Sequence, residues 1–467
     1  MSTKLEAAQV LEKALAHADA HIGDSLERLK TLVAIKSIST DPAYAGEVKR
    51  AADWVAHELE GLGFSASVRP TPGHPVVVGH AGSTGPHVLF YAHYDVQPVD
   101  PIELWNTDPF TATLVQGEDG ETRIVGRGTS DDKGQLLTFV EACRAWKAVN
   151  GQLPLRITIV SEGEEESGGK NLPAFLEASK AELGQADIAL VCDTDLWNRD
   201  TPAIVTSLRG LVGEEVEITC ASHDLHSGMY GNAARNPIQV LADIIASLRN
   251  PDGSVAIDGF YDDVAELPAD IAALWKRLPY DEAAFMKGAG LTTPAGEKGR
   301  SVLEQTRSRP TCEINGITGG YTGDGFKTVI PAKARAKISF RLVSGMDPVR
   351  IRAAFRKHVT DRLPPDATAT FAEHGGSPAV SVPTDGAFLK QAAAALKDEW
   401  GHEAALIGSG GSIPVAGEFK KILGLDTLLI GFALDDDRIH SPNEKYDLRS
   451  FHKGIRSWLR IIAALAA

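Results

Sequence analysis

Val88-Leu89-Phe90-Tyr91-Ala92-His93-Tyr94-Asp95 is an apolar run that ends in an imidazole and a carboxylate. Such a run, apolar at nearly every position, reads as a strand buried on both faces, with Val88 to Ala92 as its body. On either side the spacing of apolar residues changes to the helical period, over Val48 to Leu62 and again over Gln135 to Trp146. Further short apolar runs at Leu155 to Val160 and Ile188 to Val191 read as strands. Alternating helices and buried strands predict an α/β unit: a mixed, mostly parallel sheet with helices on both faces. Open sheets of this kind bind ligands in the crevice beyond the carboxyl ends of their strands. The polar residues stand at those ends. His93 closes the first run, Glu164-Glu165-Glu166-Ser167-Gly168 follows the second, Asp193 follows Val191-Cys192, and His440 lies beyond Leu428-Leu429-Ile430-Gly431-Phe432.

From Leu211 the pattern becomes strict alternation, with Val216, Ile218 and Cys220 on one face and Glu215, Glu217 and Thr219 on the other. That is a half-exposed strand. Asn236-Pro237 then reads as an N-cap followed by proline at the first helical position, with Ile238, Leu241, Ile245 and Leu248 expected on the buried side. A second alternating strand, Ala334 to Leu342, turns Ala336, Ile338, Phe340 and Leu342 inward, and a helix follows Asp347-Pro348. Residues 250–310 are irregular, charged and punctuated by proline, and read as helices and loops. The whole chain of 467 residues exceeds the roughly 250 to 300 residues at which one core stops growing. The expected organisation is a first domain in two pieces, 1–209 and 379–467, with an inserted α+β domain at 210–378.

The residue types at the strand ends suit divalent metal ions. Carboxylates and imidazoles without cysteine favour a catalytic site over a structural one, with zinc first and manganese or cobalt as alternatives. Two cations side by side need an anion between them, and an aspartate can engage both through its two oxygens. Asp131, in Gly126-Arg-Gly-Thr-Ser-Asp-Asp-Lys-Gly134 at the start of a helix, is placed for that task, although an aspartate there also reads as an N-cap. Asp95, two residues beyond His93, suits the carboxylate that fixes a ligating imidazole. Of the consecutive glutamates, one can bind metal while its neighbour serves as general base; in isolation they would read as a solvated charge run. Asp193 reads equally well as a cap.

A formal charge of -15 opposes a nucleic-acid surface, which needs lysine and arginine against phosphate. The N-terminal segment, with Lys4, Glu6, Glu12 and Lys13 among alanines and leucines, predicts an amphipathic helix, not a leader. No run approaches the about 18 apolar residues that span a bilayer. Cys143, Cys192, Cys220 and Cys312 are widely spaced, as in buried thiols of a cytoplasmic protein.

In combination these segments resemble the M20 family of metallopeptidases, and within it the carnosinase-like dipeptidases. The similarity spans nearly the whole chain, through Tyr91-Ala-His-Tyr-Asp-Val-Gln-Pro, Gly126-Arg-Gly-Thr-Ser-Asp-Asp-Lys-Gly, Glu165-Glu-Ser-Gly, Asp224-Leu-His-Ser-Gly, Lys327-Thr-Val-Ile-Pro, Ser339-Phe-Arg-Leu-Val, Gly410-Gly-Ser-Ile-Pro and Ile439-His-Ser-Pro-Asn-Glu. The resemblance implies that His93, Asp131 and Asp193 hold one metal ion and that Asp131, Glu166 and His440 hold a second. It favours Asp193 over Asp195 by the spacing to Leu208-Arg-Gly. It further implies that Glu165 is the general base of a hydrolysis through a water shared by the two ions, and that Asp95 orients His93. The inserted domain becomes a lid that also forms a homodimer. On it, His226 is expected to stabilise the oxyanion in a partner's site and Arg341 to hold the substrate carboxylate, with Thr328, Gly411 and Ser412 lining the pocket. Ser409 departs from relatives that carry glutamate there. The implied activity is hydrolysis of dipeptides or short peptides, with deacylation of N-acyl amino acids, or a scaffold role without catalysis, as alternatives.

Overall fold

The computed structural model describes residues 2–410 and 413–467. The chain divides into two compact units: Met1–Thr206 with Val382–Ile407 and Pro414–Ala467, and Ser207–Ser381 with Gly408–Ile413. Among the described residues no helix is long and apolar enough to cross a membrane.

The first unit is built on a mixed sheet whose neighbours run in the order Ser65–Arg69, Val76–Ala81, Arg156–Glu162, His87–His93, Ile188–Val191, Thr427–Leu429 and Ala203–Leu208. Its four central strands are parallel and its flanks antiparallel. All seven residues of His87–His93 are buried, as a strand covered on both faces requires. Adjacent side chains on a strand point to opposite faces, and both faces carry helices. Phe90 stacks at 3.8 Å on Phe139 of the Lys133–Asn150 helix, while Tyr91 meets Phe419 edge-on at 5.8 Å. Trp458, fully buried on the C-terminal Leu448–Leu465 helix, stands edge-on to Phe90, Phe139 and Phe432. Its indole also donates to Thr138 Oγ1 at 3.0 Å.

The Lys133–Asn150 helix lies under the site and is buried along most of its length. It ends at Gly151, whose φ of 74° is the left-handed stop that glycine adopts without strain. At its other end Gly134 has no substitute. A Cβ there would lie 1.9 Å from the Thr129 carbonyl oxygen, so the turn that presents Asp131 closes only around glycine.

The second unit is an antiparallel sheet in the order Thr311–Gly319, Lys333–Leu342, Gly210–Thr219 and Thr368–Ser377. The alternation along Gly210–Thr219 and Lys333–Leu342 is as the sequence predicts. Helices Pro237–Ala246 and Pro348–Thr360, capped by the Asn236 and Asp347 side chains, contribute to a core with Val216, Ile338, Phe340 and Phe355. Leu241 and Leu248 are buried in this core and Ile245 packs against it, as expected, but Ile238 does not join them. Val240, Leu241 and Ile244 face the core, whereas Ile238 is exposed. Apolar residues occur almost all round this helix, so its period could not tell Ile238 from Val240 and Ile244. Residues 250–310 contain three short helices, Ala269–Trp275, Glu282–Gly288 and Val302–Arg307.

Candidate metal centre

The polar residues of the first unit converge where the strands end. His93, wholly buried, places Nε2 3.0 Å from Asp131 Oδ1. His440, arriving from the other end of the chain, places Nε2 2.9 Å from Asp131 Oδ2 and 3.0 Å from Glu166 Oε2. Asp131 thus presents one oxygen to each imidazole. Among the described residues, His93, Asp131 and Glu166 offer ligand atoms that all lie within 4.8 Å of one another. Asp193 is outside that tight set, but its carboxyl feels the charges of His93, Asp131 and Glu166.

Burial and mutual repulsion shift most of these carboxyls upward. Burial, reinforced by Glu166, Asp131 and Asp95 and partly offset by His93, pushes Glu165 up to about 7. Burial and the Asp131, Glu165 and Glu166 charges push Asp193 well above the usual carboxylate range, against the pull of His93. Glu166 is raised by burial and by Asp131. Asp131 alone goes down: burial opposes it, but hydrogen bonds from His440 and His93 prevail. The imidazoles shift in the opposite direction. Hydrogen bonds to Asp131 and Glu166 push His440 up to about 10, and His93 rises despite its burial through Asp131 and Asp95. Among the described residues no lysine or arginine pairs with this group. Oxygen and imidazole donors crowded together in this way fit divalent metal ions.

The supports were only partly visible in the sequence. His93 Nδ1 lies 3.1 Å from the Asp95 carbonyl and 3.4 Å from Asp95 Oδ1. Asp95 Oδ2 also accepts from Ser39 Oγ at 2.6 Å and from the Glu166 amide at 3.0 Å, so one carboxylate ties together two ligand-bearing loops. Gln97 Nε2 holds Glu166 Oε2 at 2.8 Å. Asp132 precedes the helix but caps nothing; its Oδ2 accepts from the His93 amide at 3.0 Å. Ser39 and Gln97 escaped the sequence reading, since neither has a metal-type side chain.

The remaining expected residues belong to the second unit. His226 is exposed, pairs across to Val329, and accepts the Gly228 amide on Nδ1 at 3.0 Å. Thr328 is exposed and its carbonyl accepts from the Ser227 amide at 3.1 Å. Arg341 is half-buried on the Lys333–Leu342 strand. Arg209, which the sequence reading passed over, is brought down to about 10 by burial and by the neighbouring charges of Arg341 and Arg307. Gly411 and Ser412 lie outside the described residues.

Comparison with known proteins gives this constellation its context. The model of peptidase family M20/M25/M40 matches residues 89–464, a span that runs from His93 past His440. The chain belongs to peptidase family M20/M25/M40. The M20 assignment implies divalent metal ions, and His93, Asp131 and Glu166 form a cluster able to hold one. The M20 chain is 32% identical over 457 residues to the Cys-Gly metallodipeptidase dug1 of Schizosaccharomyces pombe, covering 94% of this chain and 95% of the relative. It is 29% identical to the human Beta-Ala-His dipeptidase, over 98% of this chain and 93% of the relative. Among solved structures, the M20 metallo-carboxypeptidase Sso-CP2 from Sulfolobus solfataricus superposes with a TM-score of 0.81 at 31% identity, covering 95% of this chain and 99% of that one.

Proposed function

We propose that this M20 chain is a metal-dependent dipeptidase whose first unit holds a pair of divalent ions, zinc foremost. The observation that carries the proposal is Asp131, whose two oxygens separately face His93 and His440 at 3.0 and 2.9 Å. In this reading Asp131 is shared, His93 and Asp193 complete one ligand set, and Glu166 and His440 complete the other. Bound ions supply Lewis acidity, polarising the scissile carbonyl and acidifying a water molecule.

The chain's own residues do the rest. Glu165 has a carboxyl suited to proton transfer near neutral pH. It takes a proton from the attacking water and returns it to the departing amine. Asp95 keeps His93 in one orientation, while Gln97 does so for Glu166. Unit 2 acts as lid and homodimer surface, a role supported by exposed apolar residues such as Ile317, Met229 and Phe326. His226 donates to the developing oxyanion in the partner's site. Arg341, with Arg209 beside it, takes the carboxylate of the substrate, and Thr328 lines the pocket. The buried free thiols of Cys143, Cys192 and Cys312 suit a reducing, cytoplasmic setting.

The substrate class follows from the relatives named for Cys-Gly and Beta-Ala-His dipeptides. The test is a panel of dipeptides and N-acetyl amino acids, assayed after chelation and again after zinc or manganese is restored. Metal-restored release of free amino acids from dipeptides supports the proposal. Cleavage confined to the N-acetyl amino acids, or no cleavage with metal present, rejects it.

A further inference from the structure

Glu444 has no part in the chemistry above, yet it is the most heavily used carboxylate around the centre. It is completely buried and lies four residues beyond His440. Its Oε2 accepts from Arg127 Nη1 at 2.7 Å and from the Gly128 amide at 3.0 Å. Its Oε1 accepts from the Ser130 amide at 2.9 Å and from the Asp131 amide at 3.0 Å. Four donors from residues 127 to 131 therefore converge on one side chain. Arg127, itself 1% exposed, is fixed in turn through Nη2 to the Pro98 carbonyl at 3.0 Å.

The segment that carries Glu444 also needs holding. Arg438, His440 and Asn443 have φ of 56°, 62° and 63°, the left-handed region that non-glycine residues avoid. External ties keep it there. Asp437 Oδ2 accepts from Ser130 Oγ at 2.7 Å, and Asn443 bonds the Leu104 carbonyl and Asn106 amide, each at 2.7 Å. The loop presenting Asp131 and the loop presenting His440 are thus joined through Glu444 and Asp437, behind the atoms that face each other.

We propose that Glu444 is a positioning residue that locks the Asp131 and His440 loops into one frame and thereby sets the metal affinity of the centre. The proposal rests on the reading of Asp131 and His440 as metal ligands. A supporting carboxylate costs little to the ligand atoms themselves when removed, but the ligands must then be reordered each time an ion binds. Losses of about 10- to 100-fold in affinity are typical when such partners of metal ligands are changed.

Glu444→Gln keeps the volume, turns an amide NH2 toward backbone donors and leaves Arg127 without a counter-charge. The test measures cobalt affinity by competition with a chromophoric chelator, together with the cobalt absorption spectrum and the melting temperature of the metal-free protein. Glu399→Gln is the control, because the Glu399 side chain is only 4% exposed and pairs with Arg456 and Arg460 at 2.8 and 2.9 Å in the same unit. The expected result is a 10- to 100-fold weaker affinity and an altered spectrum for Glu444→Gln. Glu399→Gln is expected to lower the melting temperature while leaving both metal readouts at wild-type values. If Glu444→Gln does not fold, Glu444→Asp carries the same comparison, since it keeps the charge but withdraws it by one methylene from the Ser130 and Asp131 amides. Wild-type affinity and spectrum in the Glu444 variant, or a loss no greater than the control's, would overturn the proposal. A wild-type protein that binds no cobalt is a separate outcome, and it would reject the metal-centre reading together with this one.

Discussion

Glu165→Gln is expected to make the metal-free protein more stable while nearly abolishing its turnover. The carboxyl rises from an ordinary 4.5 to about 7 because burial and the charges of Glu166, Asp131 and Asp95 disfavour ionisation. At roughly 1.4 kcal/mol per pH unit, that gap amounts to roughly 3 kcal/mol. The sign follows from proton binding: between pH 4.5 and 7 the folded state holds a proton that the unfolded chain has lost, so stability falls as pH rises. The penalty is absent below about pH 4.5 and complete above about pH 7, and glutamine, which does not ionise, escapes it. Urea unfolding of chelator-treated protein, followed by tryptophan fluorescence, reads the first unit, which holds six of the seven tryptophans. The variant should exceed wild type by a few kcal/mol at pH 8 and converge with it at pH 4.5. With metal restored, it should retain its ions and lose about 10²- to 10⁴-fold in kcat, the usual contribution of a general base. A metal-free variant no more stable than wild type at pH 8, or one that turns over normally with metal bound, would refute the reasoning.

Metal loading should release protons. Hydrogen bonds to carboxylates hold His93 and His440 protonated at neutral pH in the metal-free protein, whereas metal takes imidazole neutral. Calorimetric titration at pH 7 in two buffers of different ionisation enthalpy should show about two or more protons released per chain, and none would contradict the assignment. Trp458→Ala should destabilise by about 3 to 5 kcal/mol, since it removes a fully buried indole at the junction of Phe90, Phe139 and Phe432. Denaturant unfolding checks this, and a loss under about 1 kcal/mol would show that the cavity refills.

The first unit was legible because its strands are apolar runs that give way to polar residues at their carboxyl ends. That boundary marks His93, Glu165, Glu166 and Asp193 without any knowledge of what pairs with what. The strands Gly210–Thr219 and Lys333–Leu342 were legible by their alternation. Burial of Glu214 on the inward face was not, since its partners Arg352 and Arg356 come from a helix more than 130 residues away. The exposure of Ile238 on the Pro237–Ala246 helix was hidden for the opposite reason, an excess of apolar residues. Around the centre, imidazoles and carboxylates announce themselves by type. Ser39, Gln97 and Glu444 do not, because their importance lies in which loops they connect, and loops separated by 56, 69 and 313 positions meet only in the folded chain.

The most direct measurement is divalent metal content and dipeptide turnover in Asp131→Asn beside wild type. An aspartate that serves both imidazoles predicts two ions per wild-type chain, and loss of tight binding and of turnover together in the variant. An Asp131→Asn protein that keeps wild-type metal content and hydrolysis would contradict the account.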